Sequence, residues 1–135
     1  MVEDAIHSSP YSENIERYSI SPRDFIVEKL KKQHIFLFPS NEHCEGHSNS
    51  LNEAMSWGVV PLVSDINFLP SIVGKEELIV HGYNADRYFE KISYILESGK
   101  LCEFSEYVYE RVKNNFTQKV VQGALKKELE QITER

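Results

Sequence analysis

The sequence predicts an α/β fold in which a Rossmann-like parallel sheet is flanked by helices. Three short apolar runs, at residues 34–38, 59–63 and 78–80, have the length and composition of buried strands. Segments whose apolar residues follow the helical period lie between and after these runs. Strands that alternate with helices in this way indicate a parallel sheet with both faces covered.

The first residues offer little apolar surface to a core. We therefore expect residues 1–15 to form a polar N-terminal segment and residues 16–135 to form a single domain that ends in helices. Residues 17–20 predict a short strand at the start of this domain.

The first helix and the first buried strand follow directly. Ser21 and Pro22 predict an N-cap and a proline in the first turn, and the apolar spacing continues the helix to about Gln33. Residues 34–38 then form the first buried strand, which Pro39 ends.

The middle of the chain repeats this alternation. Helical spacing returns in residues 51–58, with Met55 and Trp57 expected in the core, and the second strand ends at Ser64. A short helix is predicted at residues 69–73, and a turn at His81 follows the third strand.

The remaining chain predicts three longer helices. Asn84 or Asp86 can cap the first of them, the second spans residues 101–113, and Thr117 can cap the last. The inward positions expected in the first of these helices are Tyr88, Ile92, Ile95 and Leu96.

Composition and charge exclude several classes of function. Fifteen Lys and Arg residues stand against 21 Asp and Glu, and the net charge of -6 makes the chain a poor binder of nucleic-acid backbone. No apolar run approaches the roughly 18 residues of a membrane span, and the N-terminus does not resemble a secretory signal. Cys44 and Cys102 do not make a disulfide framework, so we expect a cytoplasmic protein.

The geometry of a parallel sheet points to the loops that leave the carboxyl ends of its strands, because ligands bind there. Residues 39–48 leave the first strand, and Asp65 leaves the second. The helix that follows the first loop presents free amides and a partial positive charge, which suit a diphosphate. Gly46 lets the backbone approach a ligand, and the carboxylates of Glu45 and Glu53 can accept bonds from vicinal hydroxyls.

Seven residues separate Glu45 from Glu53, and Ala54, Met55 and Gly58 follow. This pattern resembles the signature of retaining glycosyltransferases of the GT-B fold. The closest likeness is to the group 1 family, which builds bacterial lipopolysaccharide, O-antigen and other polysaccharides. The resemblance covers roughly residues 19–132, and its other matching segments are residues 35–40, 59–65, 110–112 and 115–117.

The resemblance implies a role for each matched position. Glu45, the candidate catalytic residue, is expected to bind hydroxyls of the donor sugar, and Glu53 is expected to bind the ribose of the nucleotide. The implied reaction transfers a hexose from a nucleotide-sugar, taken to be a UDP-sugar, with retention and without a metal or other cofactor. Backbone amides are expected to hold the sugar and the diphosphate, and they belong to Gly46, His47, Ser48, Asn49 and Ser50.

The resemblance also implies partners. We expect residues 16–135 to be the nucleotide-sugar-binding half of a longer enzyme, inactive alone and peripheral to the inner membrane. A glycan or lipid-linked acceptor would bind an N-terminal domain, and the acidic charge separately argues that no nucleic acid binds. In GT-B enzymes the terminal helix often crosses back to the other domain, so the resemblance implies that part of the apolar face of the last helix is exposed here. The family's basic pair is expected upstream, because Lys31 and Lys32 do not have its position. Asn67, Phe68 and Ser71 stand where the family often has two glycines and a glutamate.

Simpler interpretations accompany these assignments. Ser50 and Glu53 have the spacing of a capping box, in which Glu53 would cap its own helix, and Glu45 would by default be a solvated loop residue. The alternative function is a non-catalytic nucleotide-binding or interaction module that keeps the fold.

A zinc site is a third interpretation of the same loop. His43, Cys44 and His47 are residue types that bind zinc, but no second cluster accompanies them. Cys44 could also be a reactive thiol, although no neighbouring base supports a nucleophile.

Overall fold

The computed structural model describes residues 2–41 and 48–133 and confirms the α/β fold class. Within these residues the strands are β1 (Ile35–Phe38), β2 (Val60–Ser64) and β3 (Ile79–Val80). Short 3-10 helices occupy Ser12–Asn14 and Glu76–Leu78. The α-helices are α1 (Val2–His7), α2 (Arg23–Leu30), α3 (Asn49–Ser56), α4 (Leu69–Val73), α5 (Ala85–Glu97), α6 (Leu101–Asn115) and α7 (Gln118–Thr133).

The three strands form a parallel sheet in the order β1-β2-β3. Ile35 pairs with Val60 at one end of the sheet, and Ser64 pairs with Val80 at the other. Every residue of β2 is buried, as expected for a central strand covered on both faces. The strands therefore lie where their apolar runs predicted them, within one or two residues at each end.

Helices supply the rest of the core through residues at helical spacing. On α3 the buried residues are Leu51, Ala54 and Met55, which are three and four positions apart. On α6 the buried positions recur every four residues, and on α5 they are seven residues apart. These buried residues are Phe104, Val108 and Val112 on α6, and Tyr88 and Ile95 on α5.

Helix α6 also closes the C-terminal end of α4 by hydrogen bonds. Arg111 donates from Nε to the Ile72 carbonyl and from Nη2 to the Ser71 carbonyl, both at 2.6 Å. Gly74 ends α4 with φ +64°, and a side chain there would collide with the Arg111 guanidinium. Because the last carbonyls of a helix lack partners within it, Arg111 has a structural role.

The strand predicted at residues 17–20 was wrong. No described strand runs beside this segment to complete a ladder, and Ile20 is fully exposed. Tyr18 instead packs edge-on against Phe25 of α2, with ring centroids 5.1 Å apart. Local β propensity cannot form a strand without a partner to accept its backbone bonds.

Of the caps predicted for α2, α5 and α7, the last two are confirmed. Asn84 Oδ1 accepts from the amide two residues further on at 2.7 Å, and Thr117 Oγ1 accepts from the amide three residues on at 3.4 Å. The Ser21 cap was wrong, because Pro22 occupies the N-cap position and Ser21 Oγ donates to the Ser19 carbonyl.

Two core predictions were also wrong. Leu96 is 55% exposed, whereas its neighbour Ile95 is completely buried. Trp57 is 48% exposed, although Met55 is buried as expected. Trp57 follows the last residue of α3, outside the helix face that meets the sheet, and Lys31 Nζ lies 4.6 Å from the centroid of its ring.

The apolar face of α7 is exposed, as predicted for part of it. The exposed apolar residues of α7 are Val120, Val121, Leu125, Leu129 and Ile132.

In the part of the chain that the structure describes, none of the helices combines the length and the apolar composition that a bilayer crossing requires.

Adjacent residues of α5 provide a matched test of the packing. Ile95→Ala is expected to lower the free energy of unfolding by about 2–5 kcal/mol, because it leaves a cavity in the core. Leu96→Ala is expected to change it by less than about 1 kcal/mol, because this side chain already contacts water. Urea unfolding measures both changes. Equal losses of unfolding free energy in the two variants would contradict the orientation of α5.

Candidate functional site

The carboxyl ends of β1, β2 and β3 bring three connections to one edge of the sheet. Ser40 lies two residues after β1, Asp65 directly follows β2, and His81 directly follows β3. We call this side the carboxyl edge, and the opposite side the amino edge. Ligands of parallel α/β sheets bind at the carboxyl edge, so its polar groups are the first candidates for a site.

A buried hydroxyl joins two of these connections. Ser64, the last residue of β2, is only 2% exposed, and its Oγ accepts from the Ser40 amide at 2.9 Å. The same Oγ lies 2.9 Å from the hydroxyl of Tyr88 on α5. Burial raises the pKa of Tyr88, which keeps this phenol neutral and able to donate. The network fixes the backbone where the chain leaves β1 towards the predicted ligand loop.

Ser48 determines where α3 begins. Its side chain accepts from the Leu51 amide at 3.3 Å, and its carbonyl accepts from the Asn52 amide at 3.1 Å. The N-cap is therefore Ser48, and the capping box of Ser50 and Glu53 was wrong because Ser50 already lies within the helix and Glu53 lies two residues beyond the capping-box position.

Glu53 instead pairs with Arg23, the first residue of α2. Arg23 Nη2 donates to Glu53 Oε1 at 2.9 Å, and the side chains are 82% and 28% exposed, respectively. Both residues line an open groove of about 540 Å³. Asn49 and Asn52 of α3 also line it, so the groove runs past the first turn of that helix.

The structure places four of the seven predicted site residues, namely Ser48, Asn49, Ser50 and Glu53. All four lie at the start of α3 or within it. The other three, Glu45, Gly46 and His47, lie outside the described residues, as do His43 and Cys44 of the proposed zinc site. Within residues 2–41 and 48–133 there is no group of three or more His, Cys, Asp and Glu side chains arranged to hold a metal ion.

A bridged histidine at the carboxyl edge was not predicted as part of the site. His81 Nδ1 lies 2.9 Å from Asp65 Oδ2, and its Nε2 lies 2.5 Å from Glu76 Oε1. Both ring nitrogens are engaged on opposite sides, so the three groups do not converge on one point. Asp65 and His81 each directly follow a strand, and that shared position was the sequence signal that could have joined them.

The bridge changes the protonation of its members. Glu76, followed by Asp65, raises the pKa of His81 by hydrogen bonds that favour the imidazolium. The bond from His81 in turn lowers the pKa of Asp65. The bridge therefore favours the imidazolium form of His81 and the ionised form of Asp65.

The connection after β2 contains a residue in the left-handed backbone conformation, which glycine adopts most readily. Asn67 stands where the family that the sequence resembles often has a glycine, and its φ is +48°. Asparagine is one of the few residues that enter the left-handed region at modest cost. Phe68, at the position of the second glycine, is largely exposed.

A second open groove, of about 880 Å³, lies at the amino edge. His34 and Gly58, which precede β1 and β2, line it together with Trp57 and Cys102. None of the described site residues predicted from the sequence lines this groove, so its larger volume does not make it the candidate site.

The His81 bridge predicts a pH dependence of stability. Since the folded pKa is raised above the ordinary value of 6.5, the bridge stabilises the fold fully below that value and its contribution is lost as the pH rises through the folded pKa. The difference in unfolding free energy between the wild type and His81→Gln should therefore shrink between about pH 6 and pH 9.

Urea unfolding across that range measures this difference. Glu76→Gln is the matched control, because it removes the partner that raises the pKa of His81 most and should weaken the pH dependence. A difference that is constant with pH would contradict the bridge.

Comparison with known proteins identifies the family of the chain. No curated protein and no solved structure shows significant similarity to the chain. Residues 1–114, most of the chain, match the family model described as glycosyl transferases group 1. The α/β fold agrees with this match, and the chain therefore belongs to the group 1 glycosyl transferases, a family of enzymes that transfer glycosyl groups.

Proposed function

We propose that this chain is the donor domain of a retaining GT-B glycosyltransferase and binds a nucleotide-sugar at its carboxyl edge. The observation that carries the proposal is the position of α3. This helix begins at the carboxyl edge with Ser48 as its N-cap, and Asn49 of its first turn and Glu53 line an open groove that runs along the helix. Family membership supplies the reaction class, and the start of the helix supports the proposal of a donor site there.

The first turn of α3 suits a diphosphate. The amides of Asn49 and Ser50 precede the first hydrogen bonds within the helix, so they have no partner inside it. The helix dipole adds a partial positive charge at the same end. A diphosphate held there would leave more readily, because its developing charge would meet preorganised dipoles.

The two glutamates would divide the recognition of the donor. Glu53 would accept bonds from the ribose hydroxyls, since an ionised carboxylate has about four acceptor sites. Glu45 would contact the sugar and position its anomeric carbon for transfer with retention. A UDP-hexose is the proposed donor, and a glycan or lipid-linked acceptor of cell-surface polysaccharide synthesis is the proposed partner. The proposed location is the cytoplasmic side of the inner membrane.

Glu53→Gln tests the ribose contact. The variant keeps the shape of the side chain and removes the charge from bonds worth about 1.5–3 kcal/mol, so the Kd for UDP should rise about tenfold. Affinity is measured by NMR titration, and circular dichroism checks the helix content. Glu97→Gln, at the exposed end of α5, is the matched control and should bind UDP as the wild type does. Unchanged UDP affinity in a folded Glu53→Gln would contradict the assignment.

Glu45→Ala tests the sugar contact. Its Kd for UDP should stay within about twofold of the wild type, while any affinity gained from the sugar of a UDP-hexose should be lost. A panel of UDP-hexoses is titrated against both proteins, with UDP as the reference. Loss of UDP binding itself in a folded Glu45→Ala variant would assign this residue to the nucleotide and contradict the proposed division.

A further inference from the structure

The pair of Arg23 and Glu53 joins two helices that are distant in sequence. Arg23 begins α2 and Glu53 lies in the middle of α3, and their side chains meet at 2.9 Å. A second contact joins the residues that directly follow the two helices, where Lys31 approaches the ring of Trp57. The two helices are thus connected at two places, but only the Arg23 contact reaches a predicted ligand-binding side chain.

The exposure of the two side chains argues against a role in stability. Arg23 is 82% exposed, and an ion pair with so exposed a member contributes little to folding. Glu53 is 28% exposed, and it faces the groove that also holds Asn49 and Asn52. Arg23 therefore restrains a carboxylate at a ligand-accessible surface rather than holding the fold together.

The chemistry of the pair leaves Glu53 able to bind a ligand. Arg23 uses one acceptor direction of Oε1, whereas a carboxylate offers about four. The bond from Nη2 holds Oε1 at 2.9 Å and so restricts the rotamers of the Glu53 side chain. A carboxylate restrained in this way loses less conformational entropy when it accepts bonds from two neighbouring hydroxyls.

We propose that Arg23 is a positioning residue, which orients the Glu53 carboxylate towards the 2′- and 3′-hydroxyls of the donor ribose. This inference rests on the proposed function, since it requires a nucleotide at the start of α3. Arg23 itself need not touch the nucleotide. Its effect is specific to the ribose hydroxyls, because only they bond to the oriented carboxylate.

The test compares nucleotides with and without those hydroxyls. The Kd values of UDP and 2′,3′-dideoxy-UDP are measured by NMR titration, with the corresponding ADP and GDP pairs in parallel. The wild type is expected to bind UDP more tightly than the dideoxy form, and the ratio of the two Kd values is the ribose preference. Arg23→Ala should reduce this preference about three- to fivefold while leaving affinity for the dideoxy form unchanged, and Arg23→Lys should restore part of the preference.

Two further variants separate positioning from a structural or general electrostatic effect. Arg23→Ala should have no additional effect on the preference in a Glu53→Gln background, because the group that it orients is already altered. Lys31→Ala removes the cation at the other end of α2 and should leave the preference unchanged. Melting temperatures of all variants confirm that each is folded.

The outcomes distinguish this inference from the proposed function. If Glu53→Gln abolishes the preference and Arg23→Ala does not change it, the role of Arg23 is overturned and the donor site stands. Equal loss of affinity for both forms in Arg23→Ala would also overturn it, because Arg23 would then act on the diphosphate. If the wild type binds none of the nucleotides, or binds both forms equally, the proposed ribose site is contradicted, and the role of Arg23 is contradicted with it.

Discussion

The structure depends on the complete burial of β2. All five residues of this strand are shielded from water, and its two neighbours pair with it on either side. A strand covered in this way has a fixed position and register, so its last residue can place other groups accurately. Ser64 is that residue. Its hydroxyl accepts a hydrogen bond from the Ser40 amide and is hydrogen-bonded to the Tyr88 hydroxyl. The apolar core and the polar edge are thus connected through one serine.

The carboxyl edge is built from pairs of opposite charge within an acidic chain of net charge -6. Arg23 contacts Glu53 of α3, and His81, directly after β3, lies between Asp65 and Glu76. The first pair joins two helices and has its carboxylate next to an open groove, and the second joins segments next to β2 and β3. Membership of the group 1 glycosyl transferases gives the chain a reaction class, and the start of α3 is the proposed donor position.

Most of the helices and strands could be predicted because each depends on the order of apolar residues within a short segment. The apolar runs of the strands and the spacing on α3 and α6 are visible in a few residues, and the structure confirms them. Other errors arose where a distant partner decides the outcome, whereas the two wrong caps, at Ser21 and Ser50, were displaced by one or two residues. Residues 17–20 lack a strand beside them, and Leu96 is exposed because the packing of α5 selected Ile95 instead. The Arg23–Glu53 pair spans 30 residues, which no helical or strand period can reveal.

The central claim is that a donor nucleotide binds at the carboxyl edge, beside the first turn of α3. Mapping of backbone amide chemical shifts during a titration with UDP tests it most directly. A nucleotide bound there should cause the largest shifts between Ser48 and Glu53 and smaller changes at Arg23, while the amides of His34 and Gly58 at the amino edge do not respond. Shifts concentrated around His34 and Gly58, or no shifts at millimolar UDP, would contradict it.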